Sequence, residues 1–483
     1  MPDLKKITSE KYELMLPVWQ KMRDCFDGEE TIKTQSLKQN TTNMDGTDIL
    51  KPIKTFNQYI RPKDSMRRLG ALGYQRFCDY IYRAKYFPFP QELQTQSMGL
   101  IENQPPVFEL PDNMIGLIGD CNANNESMKK VLSKINTEQL ITSRVGLLLN
   151  PSPEDGKPFN IAIFSAESIV DWKSELDSDS EIRMVWVKIK TDESYKNKSV
   201  YLILKLIENT YCQFKTTNEY IQYEDDIPED NGFIPDSFVV PISFEKSFSE
   251  IPFVIINITS LGTEVEKPFL ESMADASLSL FRASALYEDA LHWGGESTLF
   301  AKGYGISQNS NEPISLFVGN GSHNVTNVEW ADAKYVTMGT EGIEPRQKNF
   351  ERLLEHCISM GVDLLNKGTE SGTALNIRTN IKTASLKTLS QTGALGLETL
   401  LKLGANWLGA DSEKIVVKAN TTFADIQYTA EDFVKFSTMV GLKTMPVEDL
   451  YSLLKKNGLT TFDEFKEWFE KLNTQIPVNE NLP

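Results

Sequence analysis

A chain of 483 residues, 40% hydrophobic and 24% charged, is too long for one core and predicts two or three packed modules of an ordinary folded protein. Its 67 acidic residues outnumber its 50 basic ones and leave a formal charge of −17. That charge excludes wrapping of nucleic acid by clustered Lys and Arg, and it fits either plain solubility or a surface past which DNA slides without sticking.

Residues 10–27 place Tyr12, Met15 or Leu16, Trp19, Met22 and Phe26 at helical spacing, with Pro17 a possible kink. Residues 35–64 are polar and irregular. "SMRRLGALGYQRFCDYIYRAKY" at 65–86 reads as helix, weakened by Gly70 and Gly73. "FPFP" and "NQPPVFELP" bracket a helix-sized segment at 91–103, followed by an extended stretch. A loop at 119–125 precedes a helix over 126–142, capped from Asn124 or Asn125, and "RVGLLLNP" at 144–151 is a short buried strand. From 158 to 266, alternation and β-branched runs such as "IRMVWVKIK" and "VYLILKLIE" predict a β-rich block.

Helices dominate after that block. Residues 268–293 form one, rich in Ser and Ala between Ser272 and Ala285. Such small side chains admit close neighbours on more than one side, although Ala is also simply the best helix former. An insert rich in Gly, Asn and Ser fills 294–342, with strand candidates at 314–318 and 334–338. A helix over 344–365 shows Phe350, Leu353, Leu354, Cys357, Met360 and Leu364 on one face. After the hinge "GTESG", a long helix runs from 373 to 408 with a stripe of Leu386, Leu389, Gly393, Leu397, Leu400, Gly404 and Trp407. "KIVVKANT" is a strand candidate, and 429–472 reads as two or three short helices.

Motifs for chemistry are absent. There is no G-x-x-x-x-G-K-[ST], no G-x-S-x-G and no H-E-x-x-H. The three histidines, His292, His323 and His356, are far apart. Five cysteines (25, 78, 121, 212 and 357) lack any C-x-x-C spacing, and with an odd count and no secretory start they predict free thiols in a reducing compartment. No run of about 18 apolar residues predicts a membrane span. Asp120, Asn122 and Asn124 alternate as in a calcium loop, but Val131 stands where the bidentate Glu belongs, so a turn is expected. Glu224, Asp225, Asp226, Glu229 and Asp230 form an acidic run marked as a loop by Pro228 and Gly232. No cofactor and no metal are expected.

The order of parts resembles the portal proteins of tailed bacteriophages. "VWQKMRDCFDGEETIK" is similar to the family's opening helix, and "YIYRAKYFPFPQELQTQSMGLIENQPP" and "GDCNANNESMKKVLSKINTEQLITSRVGLLLNPSP" to its wing segments. "FSAESIVDWK" resembles a following Y-x-x-x-x-I-x-x-W stretch, with Phe164 in the aromatic slot. "GTESGTALNIRTNIKTASL" resembles the tunnel loop and the start of the helix after it. The long polar stretch at 35–64 departs from the family's pattern.

What the resemblance implies is an α+β portal fold. A mixed wing covers 1–266, a first stem helix 267–293, a clip 294–342 and a second stem helix 343–366. The tunnel loop is then 367–373, the long helix with its return to the wing 374–428, and a helical crown 429–483. It further implies a non-enzymatic virion protein: a homo-oligomeric ring, usually of twelve subunits, at one vertex of the major capsid protein's shell, assembled in the host cytoplasm. Double-stranded DNA is packaged and ejected through the ring, the terminase large subunit docks first and a head–tail adaptor later, and no membrane takes part. The expected channel residues are Lys367, Gly368, Thr369, Glu370, Ser371, Gly372, Arg378 and Lys382; the expected partner-binding residues of the clip are Asn309, Asn311, Asn320, His323 and Asn324. The alternatives are another virion component, such as a capsid or tail-adaptor protein, and a hydrolase built on the acidic run and Asp120.

Overall fold

A computed structural model describes residues 5–37, 59–60, 70–152, 157–176, 182–217, 220–221, 234, 237–243, 246–295, 298–302, 330, 332–336, 342–365, 384–421, 423, 430–441, 446–456 and 465–475. The chain divides into two units, residues 1–365 with 384–421, and residues 366–383 with 422–483. Helix and strand both contribute extensively, in an α+β arrangement.

In the first unit, strand β1 (Lys5–Lys6) leads to α1 (Glu10–Asp27), α2 (Glu29–Leu37), α3 (Gly70–Arg83), α4 (Phe89–Ile101), β2 (Val107–Glu109) and α5 (Met128–Thr142). Ser9 starts α1 by accepting a hydrogen bond from the Tyr12 N–H, satisfying one of the helix's orphan donors. Pro17 lies inside α1 and does not end it. Strands β3 (Arg144–Pro151), β4 (Phe159–Ser165), β5 (Ile169–Leu176), β6 (Ile182–Tyr195), β7 (Lys198–Ile207), β8 (Thr210–Thr216), β9 (Tyr220–Ile221), β10 (Ile242–Ser243), β11 (Lys246–Ser247) and β12 (Phe253–Asn257) make up the β-rich block.

The main sheets are antiparallel. One is a four-stranded meander, β5–β6–β7–β8, and the other has the order β12–β3–β4. Two of the meander's turns are two-residue turns with both residues at positive φ, Lys196–Asn197 (50° and 60°) and Glu208–Asn209 (49° and 63°). That conformation matches the right-handed twist of the flanking strands, and Asn accepts it better than most residues.

The chain then forms α6 (Glu271–Gly295), β13 (Thr298–Lys302), β14 (Asp332–Val336), α7 (Ile343–Leu365), α8 (Ala384–Leu408) and β15 (Val416–Lys418), which pairs antiparallel with β2. Two cores result. The larger one lays α5 and α8 on the β12–β3–β4 sheet through Ile135, Leu147, Phe159, Ile256, Leu397 and Trp407, all buried. The other gathers α1–α4 and α6 around Met22, Phe77, Tyr86, Leu93 and Phe281.

The whole stripe read from the sequence on the long helix is buried in α8. Its glycines are there for approach. A Cβ on Gly404 would lie 2.7 Å from Cζ of Phe159, and one on Gly396 2.3 Å from Cδ1 of Ile256, far inside the 3.5–4.0 Å of an ordinary carbon contact.

The second unit holds α9 (Ala430–Gly441), α10 (Val447–Lys456) and α11 (Phe465–Gln475). Tyr451 meets the rings of Phe465 and Trp468 at 5.5 and 5.4 Å, so aromatic packing joins α10 to α11.

Candidate functional site: a helical hairpin with a closed insert

Helices α6 and α7 pack as an antiparallel pair. A Cβ on Gly294 would lie 2.8 Å from Cδ1 of Ile343, so the helices touch where the insert leaves and returns. Two turns earlier on α6 and two turns later on α7, Tyr287 and Phe350 stack at 5.9 Å with their planes 15° apart. The pairing then continues as strand: Thr298 faces Val336 and Lys302 faces Asp332 in the antiparallel β13–β14 ladder. The run "TLFAK" of β13 carries two of the few apolar residues at that end of an insert otherwise rich in Gly, Asn and Ser, and no strand was expected there. The candidate at 334–338 overlaps β14, while 314–318 lies outside the described residues. Phe300 and Trp330 are largely exposed, and the Lys302 ammonium sits 5.5 Å from the centre of the Trp330 ring.

The small residues of α6 serve two faces. Ser277 Oγ donates to the Phe87 carbonyl, and Ser284 Oγ donates to the Lys85 carbonyl while accepting from the Lys85 N–H. These bonds draw residues 85–87 tightly onto the helix. Arg83 reaches Asp289 at 3.2 Å, and Phe87 meets Phe350 at 6.0 Å. Ala274, Ala283 and Ala285 are buried as well. Ser272, Ala276 and Ser279 lie on the less buried side, one to two turns apart, along with the exposed Leu286. On α7, residues 344–349 are exposed, as is Ile358.

Candidate sites for chemistry resolve differently. Asp120, Asn122 and Asn124 form a turn around a lysine. Lys157 Nζ donates to Asp120 Oδ1 and to the Asn122 carbonyl, each at 2.6 Å, where a calcium ion would have to sit. Asn122 Oδ1 accepts from the N–H groups of Asn124 and Glu126. Ser127, rather than Asn124 or Asn125, caps α5, because the turn holds the chain off helical geometry until Met128. The Lys134 ammonium, then Asn122, hold Glu126 below the usual carboxylate range.

Burial pushes the thiols of Cys25 and Cys121 up to about 12, the opposite of what a nucleophilic cysteine needs. His292 rests edge-on against Trp293 at 5.2 Å, and His356 is exposed. Among the described residues no group of three His, Cys, Asp or Glu is placed to hold a metal.

The expected channel residues Lys367, Gly368, Thr369, Glu370, Ser371, Gly372, Arg378 and Lys382 lie outside the described residues. So do the expected clip residues Asn309, Asn311, Asn320, His323 and Asn324, and the acidic run from Glu224 to Asp230. The described elements that bracket them in sequence are the β13–β14 ladder at the base of the insert, the end of α7 at Leu365 and the start of α8 at Ala384.

The stretch 269–408, from just before α6 to the end of α8, matches the family described as "Domain of unknown function (DUF4055)". No curated protein matches the chain. Among solved structures, it is similar to a chain in the neck of an empty GTA particle, at 12% identity and a TM-score of 0.39 over 74% of this chain and 86% of that one. A chain in the neck of the native GTA particle gives 12% identity and a TM-score of 0.36, covering 76% and 90%. A chain of the virion of the native gene transfer agent (GTA) particle gives 12% and 0.35, covering 81% and 90%.

Proposed function

We propose that this chain is a portal-type subunit, a structural component of a phage-like virion and not an enzyme. Copies of it form a ring at one capsid vertex, through which double-stranded DNA is packaged and later released. The observation that carries the reading is the antiparallel α6–α7 pair with an insert closed by its own ladder, followed in sequence by the long helix α8. A two-helix stem bearing a clip requires that order and that pairing. The small residues on the open side of α6 suit a helix flanked by equivalent neighbours, and the net charge of −17 suits a wall that repels phosphate.

In this reading the insert 294–342 docks the terminase and then an adaptor, with Asn309, Asn311, Asn320, His323 and Asn324 as contact candidates. Residues 367–373 border the channel, where Gly368 and Gly372 grant backbone freedom and Lys367, Arg378 and Lys382 touch phosphates briefly. The packaging ATPase is then a separate chain.

Negative-stain microscopy of the purified chain is the test. Rings with a central hole are expected, and a chain that stays monomeric with or without capsid or scaffold sinks the proposal. A narrower test replaces Gly368 and Gly372 with proline. Rings should still assemble while DNA packaging or retention falls; normal packaging removes the tunnel-loop assignment.

A further inference from the structure

Two contacts fix the register of the antiparallel α6–α7 pair. Gly294 lies against Ile343, and Tyr287 stacks on Phe350. Both agree on the same alignment, and continued away from the insert it sets Leu286 level with Glu351, Arg282 with Glu355 and Ser279 with Ile358. Level residues do not all meet inside one chain. Arg282 lies as far from Tyr287 along α6 as Glu355 lies from Phe350 along α7, and at about 100° per residue both are turned roughly 140° away from the partner helix. Because the helices run in opposite directions, the same turn carries Arg282 to one side of the hairpin and Glu355 to the other. Both are exposed.

Neither side chain has an ionic partner among the described residues. Arg282 Nη2 donates to Ser279 Oγ on its own helix at 3.0 Å. Glu355, and Glu351 one turn before it, engage no Lys or Arg, and the nearby Arg352 donates instead to Asn349 Oδ1. The other carboxylates of α6 are taken: Lys21 holds Glu271 and Asp275, Lys85 meets Glu288 and Arg83 meets Asp289. On α7, Lys348 meets Glu344. The Arg282 side thus offers a free cation, and the Glu355 side offers free carboxylates.

Shape follows the same alignment. Ile358 is 46% exposed, and level with it stands Ser279, a small residue that leaves room for an apolar neighbour. Leu286 is likewise exposed, level with the aliphatic stem of Glu351. In a ring whose axis runs along the hairpin, rotation keeps every residue at its own height. Adjacent copies then meet through two different surfaces, a heterologous contact that closes into a ring. The Arg282 side of one copy faces the Glu355 side of the next at the same level.

We propose that α6 of one copy packs on α7 of a second copy, with Arg282 paired to the partner's Glu355 and the partner's Ile358 seated over Ser279. This rests on the ring reading above and names the contact between its neighbours.

Charge reversal in the full-length chain tests the pair. Arg282→Glu or Glu355→Arg alone sets like charges across every interface and should cut the fraction of chain in rings about fivefold or more, read by sedimentation and negative-stain microscopy. The two reversals in one chain rebuild the pair in the opposite sense and should recover most of the parent's rings. Thermal melts of the single variants should match the parent, since both side chains are exposed. Normal assembly of the single variants, or a double variant no better than they are, overturns the pairing. Crosslinking tests the contact independently of charge. Chains bearing Ser279→Cys and chains bearing Ile358→Cys, differently tagged, are co-expressed and treated with diamide, which takes up the two electrons and two protons released as a disulfide forms. A disulfide joining the two tags is expected. Rings without that disulfide overturn the contact and leave the ring reading standing; a parent chain that never forms rings removes both.

Discussion

Among the described glycines, Gly396 of α8 leaves the least room for a side chain, against Ile256 of β12, and replacing it by alanine tests the packing directly. A Cβ there would lie 2.3 Å from Cδ1 and 2.4 Å from Cγ1 of Ile256, and 3.2 Å from Cδ2 of Leu261. Ile256 is fully buried, and Cγ1 lies too near its backbone for a simple rotation of the chain end to clear the clash. Helix or strand must therefore shift by about 1 Å to restore ordinary contact. Overpacking of this kind costs about 1–3 kcal/mol, and the tightness puts it at the upper end. Alanine returns about 1 kcal/mol of helix propensity, so the net expectation is a loss of about 2 kcal/mol.

Gly99 of α4 supplies the control, since it is exposed and a Cβ there meets nothing within 4 Å. Gly99→Ala should gain about 1 kcal/mol from propensity alone. Urea unfolding followed by tryptophan fluorescence, with Trp407 buried in the same core, should move the midpoint down for Gly396→Ala and up for Gly99→Ala. Equal upward shifts for both would refute the close approach of α8 to the sheet.

Other substitutions probe charge. Arg144 is buried at the start of β3, its guanidinium 3.8 Å from the centre of the Trp172 ring and its Nε and Nη2 without partners. Burial pushes its pKa down to about 9, with Glu264 offsetting only part of this. Because the unfolded chain then holds the proton more tightly, stability rises with pH above about 9. Arg144→Met should accordingly be as stable as the parent or more so at pH 7, by up to about 2 kcal/mol, with the gap narrowing as pH rises toward 10; a clear loss at pH 7 contradicts this. Arg23 joins α1 to both Glu138 and Glu167. Arg23→Met should cost about 2 kcal/mol at pH 7 by leaving both carboxylates without their shared partner; an unchanged thermal midpoint contradicts this. Lys157→Met should lower the melting midpoint by releasing Asp120 and the Asn122 carbonyl, a loss of about 1–2 kcal/mol, and millimolar calcium should not restore it. Rescue by calcium would reinstate an ion site.

Local signals carried much of this architecture. The periodicity of α1, the stripe of α8, the alternation of the β-rich block and the pair of helices around the insert were all legible, because each depends on neighbours within a few residues. What escaped reading depends on distant partners. Gly396 looks like any helical glycine until Ile256 is set against it. Lys157 reads as a loop lysine, yet it fills the turn around Asp120. Arg144 opens an apolar strand and gives no sign of its burial against Trp172. The Ser and Ala of α6 suggested close neighbours on several sides, and the segment at 85–87 turned out to be one of them. Ser127 displaced the asparagines as cap because the lysine-filled turn delays the helix.

The β13–β14 ladder has a further bearing on how such a chain changes over time. Residues 302 and 332 face each other across one strand spacing, about 4.8 Å, so 303–331 leave and return at a single doorway. Length can be added or removed there for about 0.6 kcal/mol per doubling, with no effect on the register of α6 against α7. The insert is thereby a socket: what it contacts can diverge freely while the helices that carry it stay under the constraint of their own packing.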